Sequence, residues 1–314
     1  MVDFDVEKKV SIVIPFYNEE EGLNVLLDRI EDYYLKRKFD FDVIFVDDGS
    51  TDESRMIIEN RRNLSFKYKL IIFSKNFGSH AALRAGFQKT ANNYSTWLPA
   101  DLQVSFDTVE NLFKTSLEGF DVVYGVRESI QSSFFEKLFS RFYSSIMRKF
   151  VNKSFPLKGI ETIFINRKII DLLNQNIESN SSIALHIMSL GFKEKFIDIN
   201  KVERDYGKSK WTLSKKIKLL IDSFIGFSFA PIRLVTMIGL SFFIIGLIWT
   251  IYIVSRKIIY NDIVSGWTAL TSILLLGFGI TNICLGIIAE YLWRTLDASR
   301  KRPTYIIQEV IDSK

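Results

Sequence analysis

Five short apolar runs, each followed by polar residues, constrain the fold of this chain more than any other feature of its sequence. They lie at residues 10–15, 41–46, 68–73, 95–98 and 121–125. Helical patterns fill the intervals between them. Unbroken apolar strands that alternate with helices are typical of a parallel sheet covered by helices on both faces. The sequence therefore predicts an α/β domain with right-handed crossovers over about residues 5–125.

The glycines of this domain do not form the usual phosphate-binding loops. Neither G-x-G-x-x-G nor G-x-x-x-x-G-K-[ST] is present, which disfavours classical dinucleotide binding and P-loop hydrolysis. Instead, the second run ends in Asp47-Asp48-Gly49-Ser50, a tight turn that presents two carboxylates. Carboxylates can accept hydrogen bonds from a base N–H or from ribose hydroxyls. The same residues also suit an Asx turn and a helix cap through Thr51 or Asp52.

A second polar corner follows the fourth run, where Asp101 and Gln103 leave the strand. Ligands of open α/β sheets bind at the carboxyl ends of the strands. A carboxylate and an amide oxygen two residues apart point to one side of the chain. Both are hard oxygen ligands for Mg²⁺ or Mn²⁺, which would also bind a phosphate. Capping of a helix that starts near Phe106 is the alternative role for Asp101.

The composition divides the chain into a soluble part and a membrane part. Hydrophobic residues make up 47% of the sequence, and most of the excess lies after residue 230. The formal charge is +5, but the basic residues cluster around the apolar segments, which favours anionic lipid over nucleic acid as the partner. The single cysteine, Cys284, excludes an internal disulfide and a zinc cluster. The polar start of the sequence has no secretory signal, so we expect the N-terminal domain in the cytoplasm.

Two segments, residues 234–254 and 267–289, are each long enough to cross the roughly 30 Å of a bilayer core as a helix. The loop between them contains only two cations, Arg256 and Lys257, whereas the outer flanks contain many more. The positive-inside rule therefore predicts a multi-pass protein of the plasma membrane with both ends in the cytoplasm.

Two basic amphipathic stretches precede these segments. Residues 132–150 place aromatic and aliphatic side chains on one helical face with cations between them, which is typical of a helix in the membrane surface. A helix that packs against the protein core would give the same pattern. Residues 211–229 form the second stretch. Before it, Arg204, Lys208 and Lys210 form a basic segment that could close over phosphates or simply be solvated.

Motifs along nearly the whole chain resemble, in order, those of the family 2, GT-A type glycosyltransferases. More narrowly, they resemble the polyprenyl-phosphate glycosyltransferases, the group of dolichol-phosphate mannose synthase and the bactoprenol glucosyltransferases. The matching segments are residues 11–20, 46–52, 76–78, 100–103, 123–127, 204–211, 289–294 and 301–306.

This resemblance implies roles for the donor side of a site. The residues that would bind the nucleotide base and ribose are Pro15, Tyr17, Glu19 and Asp48. Asp101, as a catalytic residue, and Gln103 would hold the metal on the diphosphate. The family usually has a second carboxylate two residues before this aspartate, where the present chain has Pro99. One metal ligand or hydrogen-bond acceptor is therefore missing.

On the acceptor side, Arg127 and Arg141 are the candidates for the lipid phosphate, because a guanidinium binds phosphate oxygens in pairs. Arg204 and Lys210 would add cations around the phosphates. Glu161 stands where the family commonly has the aspartate of Asp-Phe-Arg, and we expect it to be the catalytic carboxylate on the acceptor side. A phosphate monoester is already largely dianionic at neutral pH, so Glu161 can orient the acceptor without acting as an obligatory base. A strand-edge glutamate facing water is the alternative.

The resemblance thus implies an inverting transfer of a sugar from a UDP- or GDP-linked donor to undecaprenyl or dolichyl phosphate, with Mg²⁺ or Mn²⁺ as cofactor. Homo-oligomers such as tetramers are also expected. The implied organisation is a nucleotide-sugar-binding half, an acceptor-side half with interfacial helices, two transmembrane helices and a cytoplasmic tail. Their bounds are 1–130, 131–230, 231–290 and 291–314.

Three alternatives differ in activity or acceptor. A processive polysaccharide synthase is disfavoured, because the chain has only two apolar segments and no Gln-x-x-Arg-Trp motif. A non-catalytic scaffold of a glycan-assembly complex would explain Pro99 and the altered Asp-Phe-Arg motif. A transferase that uses another membrane acceptor would keep the catalytic residues.

Overall fold

The computed structural model describes residues 9–36, 39–61, 64–101, 103–127, 134–150, 152–175, 182–200, 266–300 and 303–313, together with single positions between 237 and 259. The chain forms two compact units. The first consists of residues 1–223 and 303–314, and the second of residues 224–302. The segment with Arg204 and Lys210, the stretch 211–229 and most of the first apolar segment lie outside the described residues.

In the described part of the first unit, strands and helices alternate up to the sixth helix, which is followed directly by a seventh. The strands are β1 (Val10–Phe16), β2 (Phe41–Asp47), β3 (Tyr68–Phe73), β4 (Tyr94–Trp97), β5 (Val122–Arg127), β6 (Ile160–Asn166), β7 (Glu194–Ile199) and β8 (Ile307–Asp312). The helices are α1 (Glu20–Leu35), α2 (Ser54–Asn60), α3 (Ser79–Gln88), α4 (Phe106–Ser116), α5 (Phe134–Phe150), α6 (Arg167–Gln175) and α7 (Ile183–Ser189).

The strands form one eight-stranded sheet in the order β7-β5-β6-β4-β1-β2-β3-β8. Its centre, from β4 to β3, is parallel, and β5 is parallel to β7. The predicted α/β fold with a mainly parallel sheet is therefore confirmed. The sequence pattern did not predict that β6 lies between β4 and β5, antiparallel to both, or that β8 closes the opposite edge.

The two faces of the central strands pack against different helices, because successive side chains of a strand point to opposite sides. Ile12 and Ile14 join the main apolar core with α1 and α4. Val13 points to the other face, towards α3. A Cβ atom on Gly86 of α3 would lie 2.2 Å from Val13, so only glycine permits this close approach of helix and sheet.

In the second unit, α8 (Trp267–Arg300) contains the second predicted apolar segment. Within the described ranges, no helix combines the length and the apolar character needed to cross a membrane.

Candidate functional site

The carboxyl ends of β1 and β2 are tied together by hydrogen bonds between two turns. The Asn18 amide nitrogen donates to Ser50 Oγ (3.0 Å), and Asn18 Oδ1 accepts from the Thr51 amide (2.8 Å). Asn18 has a φ of 52°, a conformation that asparagine tolerates better than most residues. The polar corner after β2 is thus fixed largely by side chains that bond to the backbone.

The two neighbouring carboxylates of this corner have different surroundings. Asp47 Oδ1 accepts from the Ser50 amide three residues further on (2.8 Å), and burial raises the pKa of Asp47. Asp48 reaches across to the segment after β3, where it accepts hydrogen bonds from the amides of Phe77 (2.7 Å) and Gly78 (2.9 Å). We call residues 74–78 the donor loop. Asp48 therefore fixes this loop against the end of β2.

Gly49 brings the donor loop even closer to the turn. It has a φ of +71°, and a Cβ atom there would lie 2.4 Å from the backbone carbon of Lys75. Both the backbone conformation and the close approach require glycine at this position.

The other residues predicted to bind the nucleotide lie at the same edge of the sheet. Pro15 pairs with Val46 near the end of β1, and Tyr17 follows the strand with its side chain partly exposed. Glu19 precedes the first residue of α1, and its amide donates to Ser54 Oγ (2.8 Å). The ends of β1 and β2 thus bring Pro15, Tyr17, Glu19 and Asp48 to one corner.

Asp101 and Gln103 lie just beyond β4, and both are partly exposed. Asp101 Oδ1 accepts a hydrogen bond from the Gln103 amide (3.2 Å). Asp101 is not the helix cap, because Ser105 occupies that position and its Oγ accepts from the Thr108 amide of α4. The capping alternative for Asp101 is therefore wrong.

No group of three or more His, Cys, Asp or Glu side chains converges anywhere in the described residues. That part of the chain therefore contains no metal site built from three or more of these side chains. A carboxylate and an amide oxygen nevertheless fit Mg²⁺ or Mn²⁺ in the usual manner of nucleotide sites, where one or two protein oxygens are supplemented by phosphate oxygens and water.

Arg127 and Glu161, predicted separately, form an ion pair between adjacent strands. Arg127 Nε donates to Glu161 Oε1 from the end of β5 to the start of β6. The Glu161 side chain is only 9% exposed, so the alternative of a glutamate facing water is wrong. The same residue touches β4, because the Trp97 indole donates to its carbonyl oxygen (2.9 Å).

Threonine hydroxyls connect β4 and β6 beneath this pair. Thr162 donates to the Trp97 carbonyl oxygen (2.5 Å), and Thr96 donates to the Ile163 carbonyl oxygen (2.9 Å). The strand that ends before Asp101 is thus bonded to the strand that carries Glu161. Arg141 is exposed on α5, and Arg204 and Lys210 lie outside the described residues.

His80, in the first turn of α3, follows the Asn76-Phe77-Gly78 motif, and this position is compatible with a contact to the donor or with a role at the helix start. Both of its ring nitrogens are buried without a hydrogen-bond partner among the described residues. Burial, with a smaller contribution from nearby Arg84, lowers the pKa of His80 to about 4. The imidazole is therefore neutral at neutral pH. In the sequence, the proximity of His80 to this edge of the sheet is indicated only by its position two residues after the donor loop.

Comparison with known protein families identifies the class. Residues 11–199 match the family described as Glycosyl transferase family 2, and residues 230–294 match the GtrB C-terminal hairpin. The first match covers more than half of the chain, so the chain belongs to glycosyl transferase family 2 and is a glycosyltransferase.

Similar proteins extend over the full length. The undecaprenyl-phosphate 4-deoxy-4-formamido-L-arabinose transferase of Proteus mirabilis (strain HI4320) is 32% identical over 100% of this chain and 97% of its own. The uncharacterized glycosyltransferase YkcC of Bacillus subtilis (strain 168) is 29% identical over 95% and 93%. Among solved structures, mannosyltransferase PcManGT from Pyrobaculum calidifontis, in complex with GDP-Man and Mn²⁺, has a TM-score of 0.43 at 21% identity, over 60% of this chain and 54% of that one.

Proposed function

We propose that this chain transfers a sugar from a UDP- or GDP-linked donor to a polyprenyl phosphate, undecaprenyl or dolichyl, at the cytoplasmic face of the membrane, with inversion. One observation carries the proposal: the Trp97 indole at the end of β4 donates to the carbonyl oxygen of Glu161, whose side chain is paired with Arg127. Because β4 ends two residues before Pro99 and four before Asp101, this bond connects the proposed acceptor residues to the strand that leads to the proposed metal ligand. Family membership supports the reaction class. The names of full-length relatives, including the Proteus mirabilis transferase, support an undecaprenyl phosphate acceptor.

The donor would bind at the ends of β1 and β2. Pro15, Tyr17 and Glu19 lie at this edge, and Asp48 is held there by the donor loop. A base or ribose that approaches this edge meets a turn and a loop that Asp48 already fixes against each other by hydrogen bonds. Such preorganisation reduces the entropy that the protein loses on binding.

Asp101 and Gln103 would hold Mg²⁺ or Mn²⁺ through their side-chain oxygens. When bound, the cation would neutralise charge on the leaving nucleotide diphosphate. Both side chains are partly exposed, and Ser105 rather than Asp101 caps α4. Pro99 cannot supply the second carboxylate of the family, so bound phosphates would complete most of the coordination.

Arg127 would bind the acceptor phosphate, and Glu161 would orient the acceptor. The ion pair fixes the Arg127 side chain, which is still one-third exposed, while the Glu161 side chain is nearly buried. Of these two residues, Arg127 is therefore the one that an incoming phosphate can reach. Arg141, Arg204 and Lys210 would add positive charge around the two anionic substrates.

We further propose that residues 234–254 and 267–289 cross the plasma membrane with both ends in the cytoplasm, which makes the protein multi-pass. The match of residues 230–294 to the GtrB C-terminal hairpin supports this topology. Large apolar side chains are also exposed along α8, among them Leu274, Phe278 and Leu285. Cysteine labelling from either side of the membrane would test it, and cross-linking would test the expected homo-oligomer.

The decisive experiment compares wild type with Asp101→Ala in membranes given labelled UDP- and GDP-sugars, Mg²⁺ or Mn²⁺, and undecaprenyl phosphate. We expect labelled lipid from wild type and a loss of about 100-fold or more in Asp101→Ala. Glu118→Gln, which removes an exposed carboxylate just after α4, is the matched control and should retain activity. Equal product from Asp101→Ala and wild type would refute the site.

Family membership disfavours the alternative of a non-catalytic scaffold, which only Pro99 favours. Calorimetric titration with nucleotide sugars separates the two, since the scaffold predicts no metal-dependent binding. Replacing undecaprenyl phosphate by other defined lipids in the transfer assay tests the remaining alternative, a transferase that uses another membrane acceptor.

A further inference from the structure

The C-terminal motif Pro303-Thr304-Tyr305-Ile306 has no role in the function described so far. It lies beyond both family matches, which end at residues 199 and 294. In the structure it begins a segment, residues 303–313, that returns to the first unit after α8. We call this segment the C-terminal strap.

The strap is attached to the edge of the sheet along its length. Its strand β8 pairs antiparallel with β3, and the Ser74 amide of the donor loop donates to the Ile306 carbonyl oxygen (3.1 Å). Two ion pairs add to these bonds further along, Arg55–Glu309 (2.7 Å) and Lys69–Asp312 (3.0 Å). Both ion pairs are partly exposed, so each contributes little to stability.

Tyr305 is the side chain that joins the strap to the donor loop. Its ring stacks on Phe73, with centroids 5.1 Å apart and planes at 11°, and its hydroxyl donates to Gln88 Oε1 of α3 (2.6 Å). Phe73 in turn packs edge-on against Phe77 of the donor loop, with centroids 5.7 Å apart. Aromatic pairs in these two arrangements are favourable beyond the area they bury.

The donor loop is therefore held on two sides. On one side, Phe77 and Gly78 donate their amides to Asp48, and Lys75 packs on Gly49. On the other side, the strap contacts the loop through the Ser74–Ile306 hydrogen bond and the ring series from Tyr305 to Phe77. The strap is more than 220 residues away from the donor loop in sequence.

We propose that the C-terminal strap is part of the donor site, and that Tyr305 is a positioning residue which sets nucleotide affinity by fixing the donor loop on Asp48. The inference rests on the proposed function, in which Asp48 belongs to the nucleotide site. A carboxylate whose amide donors are fixed loses little freedom when a nucleotide binds, whereas a loosened loop must be ordered at that moment. Tyr305 touches no substrate in this scheme.

The test uses the full-length protein in detergent with three variants, Tyr305→Ala, Tyr305→Phe and Glu309→Gln. For Tyr305→Ala we expect faster amide hydrogen exchange in peptides that cover residues 74–78. We also expect about tenfold weaker binding of the preferred nucleotide, UDP or GDP, and an unchanged KM for the lipid acceptor. Tyr305→Phe keeps the stacked ring, so it should restore affinity to within about twofold of wild type.

Glu309→Gln is the matched control within the strap, because it removes an ion pair 2.7 Å long without touching Tyr305 or the donor loop. It should lower the Tm slightly and leave nucleotide affinity unchanged. If Tyr305→Ala lowers the Tm but leaves exchange in residues 74–78 and nucleotide affinity at the wild-type level, the inference is overturned.

The outcomes also separate this inference from the proposed function. If wild type binds UDP or GDP and Tyr305→Ala binds it equally well, the proposed role of the strap is contradicted and the proposed function is not. If wild type binds neither nucleotide, the donor site and the strap's role in it both fail, whatever the exchange data show.

Discussion

The proposed donor corner, around Asp48, and the proposed acceptor corner, around Arg127, are built in different ways. Around Asp48, nearly every contact joins a side chain to backbone amides, and the carboxylate is 4% exposed. Around Arg127, one ion pair joins two side chains, and the Arg127 side chain is one-third exposed. Changes in the donor corner should therefore affect folding first, whereas changes in the acceptor corner should affect substrate use first.

The largest effect that this comparison predicts is at Gly49. In Gly49→Ala, the new Cβ atom would meet the Lys75 backbone at 2.4 Å, and the residue would keep a φ of +71°. We expect a loss of about 3 kcal/mol or more in the free energy of unfolding, because neither backbone segment can move freely. Chemical denaturation of the full-length protein measures this loss.

Gly119→Ala provides the control for backbone conformation alone. Gly119 also has a positive φ, +92°, but the nearest atom to a new Cβ is Lys193 Nζ at 3.8 Å. We expect a loss of about 1 kcal/mol there. Equal losses in the two variants would show that close packing of the donor loop contributes nothing.

His80 predicts a pH dependence of stability for the donor corner. Its pKa is about 4 in the folded protein, against an ordinary value of 6.5. Above pH 6.5 both states are neutral, and the stability is fully present. As the pH falls from 6.5 through 4, the unfolded state binds the proton first, so up to about 3 kcal/mol is lost.

Denaturation curves of wild type and His80→Gln between pH 4 and 7 isolate this effect, since all other titrating groups are shared. Relative to His80→Gln, wild type should lose stability as the pH falls from 6.5 through 4. A difference that is constant with pH would contradict the buried, neutral imidazole.

The sequence predicted the two corners unequally, and the reason lies in the sheet. The donor corner comes from consecutive parallel strands, whose apolar runs and polar ends are visible in the sequence, and the family resemblance assigns Pro15, Tyr17, Glu19 and Asp48 to it. The Arg127–Glu161 pair requires β6 to insert antiparallel between β4 and β5, and no local pattern specifies that pairing.

The same limitation applies to residues 303–306 at the other edge of the sheet. Their motif is visible in the sequence, but their contact with Phe73 depends on the pairing of β8 with β3. Apolar periodicity predicts that a strand exists, whereas its neighbours in a sheet are decided by packing between distant segments.

In the acceptor corner, Arg127→Ala should raise the KM for the lipid phosphate by about tenfold and leave the KM for the donor unchanged. Steady-state assays with each substrate varied in turn measure both constants. Arg61→Ala, which removes an exposed pair with Asp28, is the control and should change neither. A larger increase in the KM for the donor than in the KM for the lipid would contradict the assignment of Arg127 to the acceptor side.

Glu161→Gln sharpens this prediction, because the amide can still accept a hydrogen bond from Arg127. If Glu161 only orients, activity should fall by a few fold. An obligatory general base would instead cost about 100-fold or more, and such a loss would refute the orienting role.

In the corner after β4 we expect separate roles for Asp101 and Ser105, and only a small effect of either residue on stability. Ser105→Ala removes the cap of α4 and should cost about 1 kcal/mol of stability with transferase activity retained. Asp101→Ala should show the reverse, a loss of activity with a smaller change in stability, because the Asp101 side chain is partly exposed. Denaturation and transfer assays on both variants give four measurements. If Ser105→Ala abolished transfer while its stability stayed at the wild-type level, the serine would belong to the site, and the division between a structural cap and a metal ligand would be wrong.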